Sequence, residues 1–391
     1  MAVSDLGWTT VQVQQEELLL SHTLPVGQTF RWVETTKAVS YTGVIGSRAY
    51  QLEQLEDGFR YRVVARCPSA KDEEDEEGED GVEGEKGREL AELREYFQLQ
   101  LNLSDFISHW SKCDERFKAV KEYYPGARLL RQDPVECLFS FICSSNNHIS
   151  RIHGMVSTLC RLYGTELRAP ASAPPRGEGE TRLYKFPTLE QLSEAKEEDL
   201  RANGFGYRAK FVTGSVAALA GKPGGGAAWL HSLRGVPYKE ASLALQTLPG
   251  IGPKVAACIC LFSLDKYEAI PVDTHVWRVV VTHYRPDLQE KKSLTPRLMD
   301  VAQEALQETF GPHAGWAHNV LFLAELAELK KRLPEKLQTP TKRKQATPKK
   351  KKTSKMKTTE AADVKAETPI KKKKKGKKGG EMKQAAKKNL A

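Results

Sequence analysis

The sequence has no apolar run approaching the length of a membrane-crossing helix, which excludes an integral helical membrane protein. Its first twenty residues, MAVSDLGWTTVQVQQEELLL, lack the charged-then-apolar profile of a secretory signal and the Arg-rich, acid-poor profile of a mitochondrial transit peptide. An intracellular protein is expected. There is no C-x-x-C pair and no regular four-Cys cluster; seven cysteines, an odd number, are scattered through apolar segments. That pattern fits reduced buried thiols better than a disulfide framework and argues against an iron-sulfur or zinc site, so no metal and no cofactor are expected. No fixed-period repeat is present, which removes the solenoid folds.

An excess of one charge is also missing from most of the chain, despite a net charge of +10. Residues 334–391 hold 21 Lys or Arg against 5 acids, and residues 71–86 hold 10 acids against 2 lysines, leaving about +2 for everything else. Any nucleic-acid surface on the folded part must therefore arise from local arrangement.

What the chain does have is 391 residues, 40% hydrophobic, enough for two or three packed domains. Residues 8–66 alternate apolar and polar positions and are rich in aromatic and β-branched types, with a turn at Asp57-Gly58. They predict an antiparallel sheet over residues 1–70. Residues 71–89 form an acidic insertion, too poor in apolar residues to fold. From Leu90 the spacing turns helical, giving a helical domain over 90–333. SDFISHWSKCDERFKAVKEYY reads as one helix, and DPVECLFSFICSS as another with Asp133 as N-cap and Pro134 at its first position. Residues 169–182 read as a Pro/Gly loop, and 334–391 as a disordered lysine-rich tail. The fold class is α+β, a small sheet beside a helical bundle.

One stretch stands apart. In LPGIGPKVAACICL, residues 248–261, Gly250 and Gly252 make a turn that glycine alone allows, and Pro253 opens a helix with Lys254 behind it. With the preceding PYKEASLALQTL, this is a helix-hairpin-helix over 238–264, whose unpaired backbone N–H groups suit a phosphate. The positive end of a helix also disfavours an ammonium and moves the Lys254 amine towards its neutral, nucleophilic form. Taken singly, these residues have plainer readings. Lys254 is a phosphate contact, Asp273 an N-cap, Gly27 a turn, SSNNH at 144–148 a polar loop, and Cys258 and Phe322 core.

Taken together, LPGIGPKVAACICL, PVDTHVWR, SSNNH, GYR, GQTFRW and GWAHNVLF, in that combination between about Gly7 and Leu329, resemble the eukaryotic 8-oxoguanine DNA glycosylases of the helix-hairpin-helix superfamily. The resemblance implies Lys254 as the catalytic amine and Asp273 as the carboxylate that stabilises a cationic sugar. It implies a base pocket of Gly27, Phe30, Cys258, His318 and Phe322, in which the Gly27 carbonyl accepts from the one N–H that oxidised guanine has and guanine lacks. It further implies DNA contacts from Asn146, Asn147, Arg151, Tyr207, Arg208, Gly250, Gly252 and His275. Asn146 enters the space vacated by the flipped base, Tyr207 wedges beside it, and Arg151 and Arg208 grip the orphaned cytosine. One position departs from the family, which commonly has glutamine where this chain has His318, so the choice of base is less constrained than the reaction.

The expectation is a bifunctional glycosylase and abasic-site lyase acting as a monomer on double-stranded DNA containing oxidised guanine, in the nucleus, with downstream repair proteins as further partners and no membrane. The lysine runs serve as import signals and salt-sensitive DNA contacts, or simply as a solubilising tail. Two other readings are a non-enzymatic helix-hairpin-helix DNA binder and a glycosylase for another oxidised or ring-opened purine.

Overall fold

The computed structural model describes residues 7–68, 82–169, 182–291 and 293–340. Strands β1 (Thr9–Gln12), β2 (Trp32–Thr36), β3 (Ser40–Ile45), β4 (Arg48–Leu55) and β5 (Gly58–Arg66) form one antiparallel sheet in the order β1-β5-β4-β3-β2. Gly58 is demanded by close approach, since a Cβ there would collide with the Val11 carbonyl on β1. Alternation puts Tyr50, Leu52, Phe59 and Tyr61 on one face, where they pack with Leu93, Tyr96 and Phe97.

Those last residues come from or adjoin the Val82–Tyr96 helix, which corrects one expectation. Residues 82–89 are helical rather than part of an unstructured insertion. Their acids do not merely repel one another: Glu85 and Glu89 pair with Arg66, and Glu92 with Arg48, all across the helix–sheet contact. A second correction concerns residues 104–124. The chain breaks into Leu103–Cys113 and Glu115–Lys121, because Asp114 leaves helical geometry (φ −146°) and its side chain caps Phe117 N–H. Past 333 the order continues as well. Thr339 is buried, and Arg116 donates to Leu337 O and Thr339 Oγ1, each at 3.0 Å. Residues 341–391, with the lysine runs, and residues 170–181 of the expected 169–182 loop lie outside the described residues.

Helices make up the rest, around one large apolar core. Asp133 caps the Pro134–Cys143 helix by accepting from Val135 and Glu136 N–H at 2.9 Å, with Pro134 at its start as the sequence predicts. Arg128 is a wholly buried junction between sheet and helices. Nε donates to Phe97 O (2.6 Å), Nη1 to Glu17 O (2.8 Å) and Glu17 Oε2 (3.0 Å), and Nη2 to Gln98 O (2.7 Å) and Leu101 O. Its guanidinium lies 5.6 Å from the ring of Trp316. Arg128→Leu removes the guanidinium from the Phe97, Leu101 and Glu17 carbonyls and takes from Glu17 its cation, leaving that carboxylate only Leu103 and Ser104, so denaturant unfolding should show a loss of about 3–5 kcal/mol. A loss under about 1 kcal/mol would mean that water replaces the arginine there.

Candidate active site

The Tyr238–Leu245 and Pro253–Ser263 helices are joined by the glycine turn, as the hairpin reading requires. Gly250 sits at φ +80°, and a Cβ there would press on the Phe211 ring. Ser215 Oγ donates to Pro249 O at 2.9 Å, pinning the turn to the Arg208–Ala220 helix. Gly252 differs from expectation. Its φ of −98° is open to any residue, and a Cβ there would meet nothing within 4 Å. The second glycine is therefore not demanded by backbone shape; it leaves an unobstructed approach to the helix N-terminus. No side chain caps that end, so its first-turn N–H groups remain for an anion.

One turn into this helix a cavity of about 50 Å³ is bounded by Lys254, Cys258, Asp273, Gly27, His318 and Phe322, with Gln28, Phe141, Phe262 and Asn319 also on its wall. The Lys254 ammonium lies 5.5 Å from the centre of the Phe141 ring. Burial disfavours its charge most strongly, while Cys258 and Asp273 pull the other way, and together these set its pKa above the usual lysine value. The upward balance requires Cys258 as an anion. Burial pushes the Cys258 thiol up, however, so near neutral pH it is uncharged. With a neutral thiol, burial and the Asp273 carboxylate are left to oppose one another at the amine. Asp273 opens the Thr274–His283 helix. Its Oδ1 accepts from His275 N–H (2.8 Å) and Val276 N–H (2.9 Å), leaving Oδ2 without a hydrogen bond among the described residues. The cap therefore occupies one oxygen of a carboxylate that also borders the cavity.

The loop carrying Gly27 is held by its neighbour. Gln28 donates to Thr23 O (2.8 Å) and Arg128 O (2.9 Å) and accepts from Leu130 N–H (3.0 Å), while its carbonyl accepts from Gln132 Nε2 (2.7 Å). Gly27 itself lies at φ +88° with Ile149 close behind it. Phe30 does not reach the cavity. It is buried behind the wall, edge-on to Phe141 at 5.7 Å, and Phe141 in turn stacks on Phe262 at 5.5 Å. His318 is 6% exposed, stacks on Phe322 at 6.0 Å, and neither ring nitrogen has a partner among the described residues. Burial, aided by Lys254 and opposed by Asp273, holds its pKa down to about 4, so the ring is neutral at ordinary pH.

The loop after the Pro134–Cys143 helix presents Asn146 to solvent at φ +47°, a left-handed conformation. Its neighbour Asn147 turns inward, contrary to the expected DNA contact: Nδ2 donates to Cys143 O (3.0 Å) and Oδ1 accepts from His148 N–H (3.0 Å). Arg208 also departs from expectation. It is 3% exposed, and its guanidinium binds Ser145 O and Asn146 O, bracing the loop from beneath. Arg151 is exposed, its guanidinium donating to Gly204 O at 3.1 Å, and Tyr207, 46% exposed, stands over the loop with its hydroxyl on Ser145 O at 2.9 Å. His275 is exposed at the first turn of its helix.

Residues 10–138 match the model of the 8-oxoguanine DNA glycosylase N-terminal domain, and residues 139–304 that of the HhH-GPD superfamily of base excision DNA repair proteins. N-glycosylase/DNA lyase OGG1 of Arabidopsis thaliana is 43% identical over 327 residues, 83% of this chain and 82% of the relative. The chain belongs to the eukaryotic 8-oxoguanine DNA glycosylase family. Another relative of this glycosylase, the N-glycosylase/DNA lyase of Saccharomyces cerevisiae, is 31% identical over 80% of this chain and 85% of its own length. A solved structure of MBOgg1 with a low-affinity DNA ligand is 26% identical, with a TM-score of 0.63 over 81% of this chain and 94% of that one. The Clostridium acetobutylicum 8-oxoguanine glycosylase/lyase, solved with DNA containing cytosine opposite 8-oxoguanine, shares the fold at a TM-score of 0.63 and 24% identity, covering 83% of this chain and 98% of that one.

Sequence reasoning missed several residues of the glycosylase site. Phe141 and Phe262 gave no signal beyond ordinary core aromatics. Gln28 adjoins the glycine that was singled out, but its buried bonding is long-range. Arg278 and Glu325 support His275: Arg278 Nη2 donates to Glu325 Oε2 at 2.6 Å and lies 3.3 Å from His275 Nδ1, with the Glu325 side chain 1% exposed. The i, i+3 spacing of His275 and Arg278 on a helix was the available hint.

Proposed function

We propose that this chain excises 8-oxoguanine opposite cytosine from double-stranded DNA and then cleaves the strand on the 3′ side of the abasic site. The observation that carries this is a single cavity bounded by both Lys254 and Asp273, next to an uncapped helix end. The base first leaves the stack, with Asn146 filling its place and Tyr207 wedging beside it. Nζ of Lys254 attacks C1′ as the C1′–N9 bond breaks; the electron pair goes to the base, which takes up the proton the amine loses. Positive charge growing on the sugar faces the free oxygen of Asp273. Ring opening leaves an imine between Nζ and C1′, and removal of a C2′ proton then expels the 3′ oxygen.

Gly27, Cys258, His318 and Phe322 hold the base, while the turn at Gly250–Gly252 and His275 hold backbone phosphates. Arg151 reads the orphaned cytosine, whose acceptors suit an arginine fork. Arg208, lashed to the loop carbonyls, either joins it after release or acts through the loop. Arg151→Ala should relax the preference for cytosine by about tenfold with little loss in cleavage rate, whereas Arg208→Ala should weaken DNA binding as the loop loosens. An unchanged preference in Arg151→Ala would remove that role.

His318 favours a second reading in which another oxidised or ring-opened purine is the better substrate, since an imidazole offers one donor where an amide offers two. The deciding experiment is a nicking assay across damaged bases and opposite bases: this reading expects fastest cleavage at 8-oxoguanine opposite cytosine. Faster excision of a ring-opened purine would favour the second, and no nicking at any lesion would defeat both. We place the protein in the nucleus as a monomer, with downstream repair proteins as partners.

A further inference from the structure

His318 and Asn319 are adjacent on the Ala314–Leu323 helix, and both line the cavity. Asn319 is 4% exposed, and its Nδ2 has no partner among the described residues, like the two ring nitrogens of His318. A buried amide donor left unpaired is costly. The fold does satisfy another amide on this cavity, because the side chain of Gln28 bonds through both its nitrogen and its oxygen. Gln28 therefore supports a loop, whereas Asn319 waits on something that enters.

The chemistry of the pair limits what that is. A side-chain NH2 only donates, so Asn319 Nδ2 needs an acceptor. A neutral imidazole beside it supplies an unprotonated nitrogen that accepts. A donor next to an acceptor complements the guanine edge, where the oxygen at position 6 adjoins the N1–H. Adenine has the reverse order, an amine at position 6 beside an unprotonated N1. Ring-opened guanine keeps the same oxygen and N–H.

We propose that Asn319 is a specificity residue whose Nδ2–H donates to the oxygen at position 6 of the flipped base, confining the pocket to 6-oxopurines, ring-closed or ring-opened, and rejecting 6-aminopurines. The assignment rests on reading the cavity as the flipped-base site. It adds a contact independent of the Gly27 carbonyl: Gly27 tells oxidised from intact guanine, and Asn319 tells guanine-derived from adenine-derived lesions.

The test is single-turnover excision by the full chain from duplexes holding, opposite cytosine, either 8-oxoguanine or 2-amino-8-oxopurine, which lacks the position-6 oxygen. Asn319→Ala should slow release of 8-oxoguanine by about tenfold, yet differ from wild type by less than about twofold on the base without that oxygen. The ratio of the two rates within one variant does not depend on how much of it is folded. Asn319→Asp, which puts an acceptor where the donor stood, should lose more on 8-oxoguanine than the alanine variant does. Equal penalties on both bases, or an alanine variant as fast as wild type on 8-oxoguanine, would overturn the assignment. Wild type that binds the lesion duplex but releases no base would instead defeat the glycosylase reading itself, and this assignment with it.

Discussion

Lys254→Gln should leave a lesion-bearing duplex uncut and form no covalent adduct under borohydride, a loss of at least about 10³-fold in strand cleavage. Glutamine keeps much of the length and polarity of lysine but has no amine to attack C1′. DNA affinity should stay within a few-fold, because the proposed phosphate contacts come from the backbone of the Gly250–Gly252 turn and the uncapped helix end rather than from this side chain. The two measurements together separate catalysis from grip. A binder that uses the hairpin only as an anchor would lose affinity in proportion to charge and would have no cleavage to lose. Retention of nicking by Lys254→Gln would move the nucleophile elsewhere.

Asp273 allows a sharper separation because its two oxygens are differently engaged. Oδ1 caps the Thr274–His283 helix, and asparagine caps about as well as aspartate. Oδ2 makes no hydrogen bond among the described residues, and only aspartate carries charge there. Asp273→Asn should therefore change unfolding free energy by less than about 0.5 kcal/mol while lowering single-turnover excision by about 10²- to 10³-fold. Asp273→Ala loses both functions, with about 1 kcal/mol of stability gone in addition. If the asparagine variant excises at the wild-type rate, the residue is a helix cap and nothing more.

The parts that were legible in the sequence are those written locally. Alternation in residues 40–66 reports a sheet face, Asp133-Pro134 reports a helix start, and Gly250 reports a left-handed turn. Lys254 and Cys258 share a helix face because they are one turn apart, and both reach the cavity. What was illegible depended on partners far along the chain. Residues 82–89 read as too acidic and too poor in apolar residues to fold, because Arg66, the partner of Glu85 and Glu89, lies on a strand far back in the sequence. Phe30 and Phe141 are the same residue type in apolar settings, and only packing decides which one meets the cavity. Arg208 is expected on the orphaned cytosine, yet two loop carbonyls draw it inside. Asn319 sits in a motif that was noticed, but an unpaired donor is visible only when its surroundings are known.

The central claim is that a buried amine on the hairpin helix becomes covalently joined to deoxyribose beside the Asp273 carboxylate. The direct measurement is to trap wild-type protein on an 8-oxoguanine duplex with borohydride, digest the adduct, and identify the modified residue by mass spectrometry. The account predicts one sugar-linked peptide, carrying the modification on Lys254. Modification of a different lysine, or strand cleavage with no trapped protein, would contradict it.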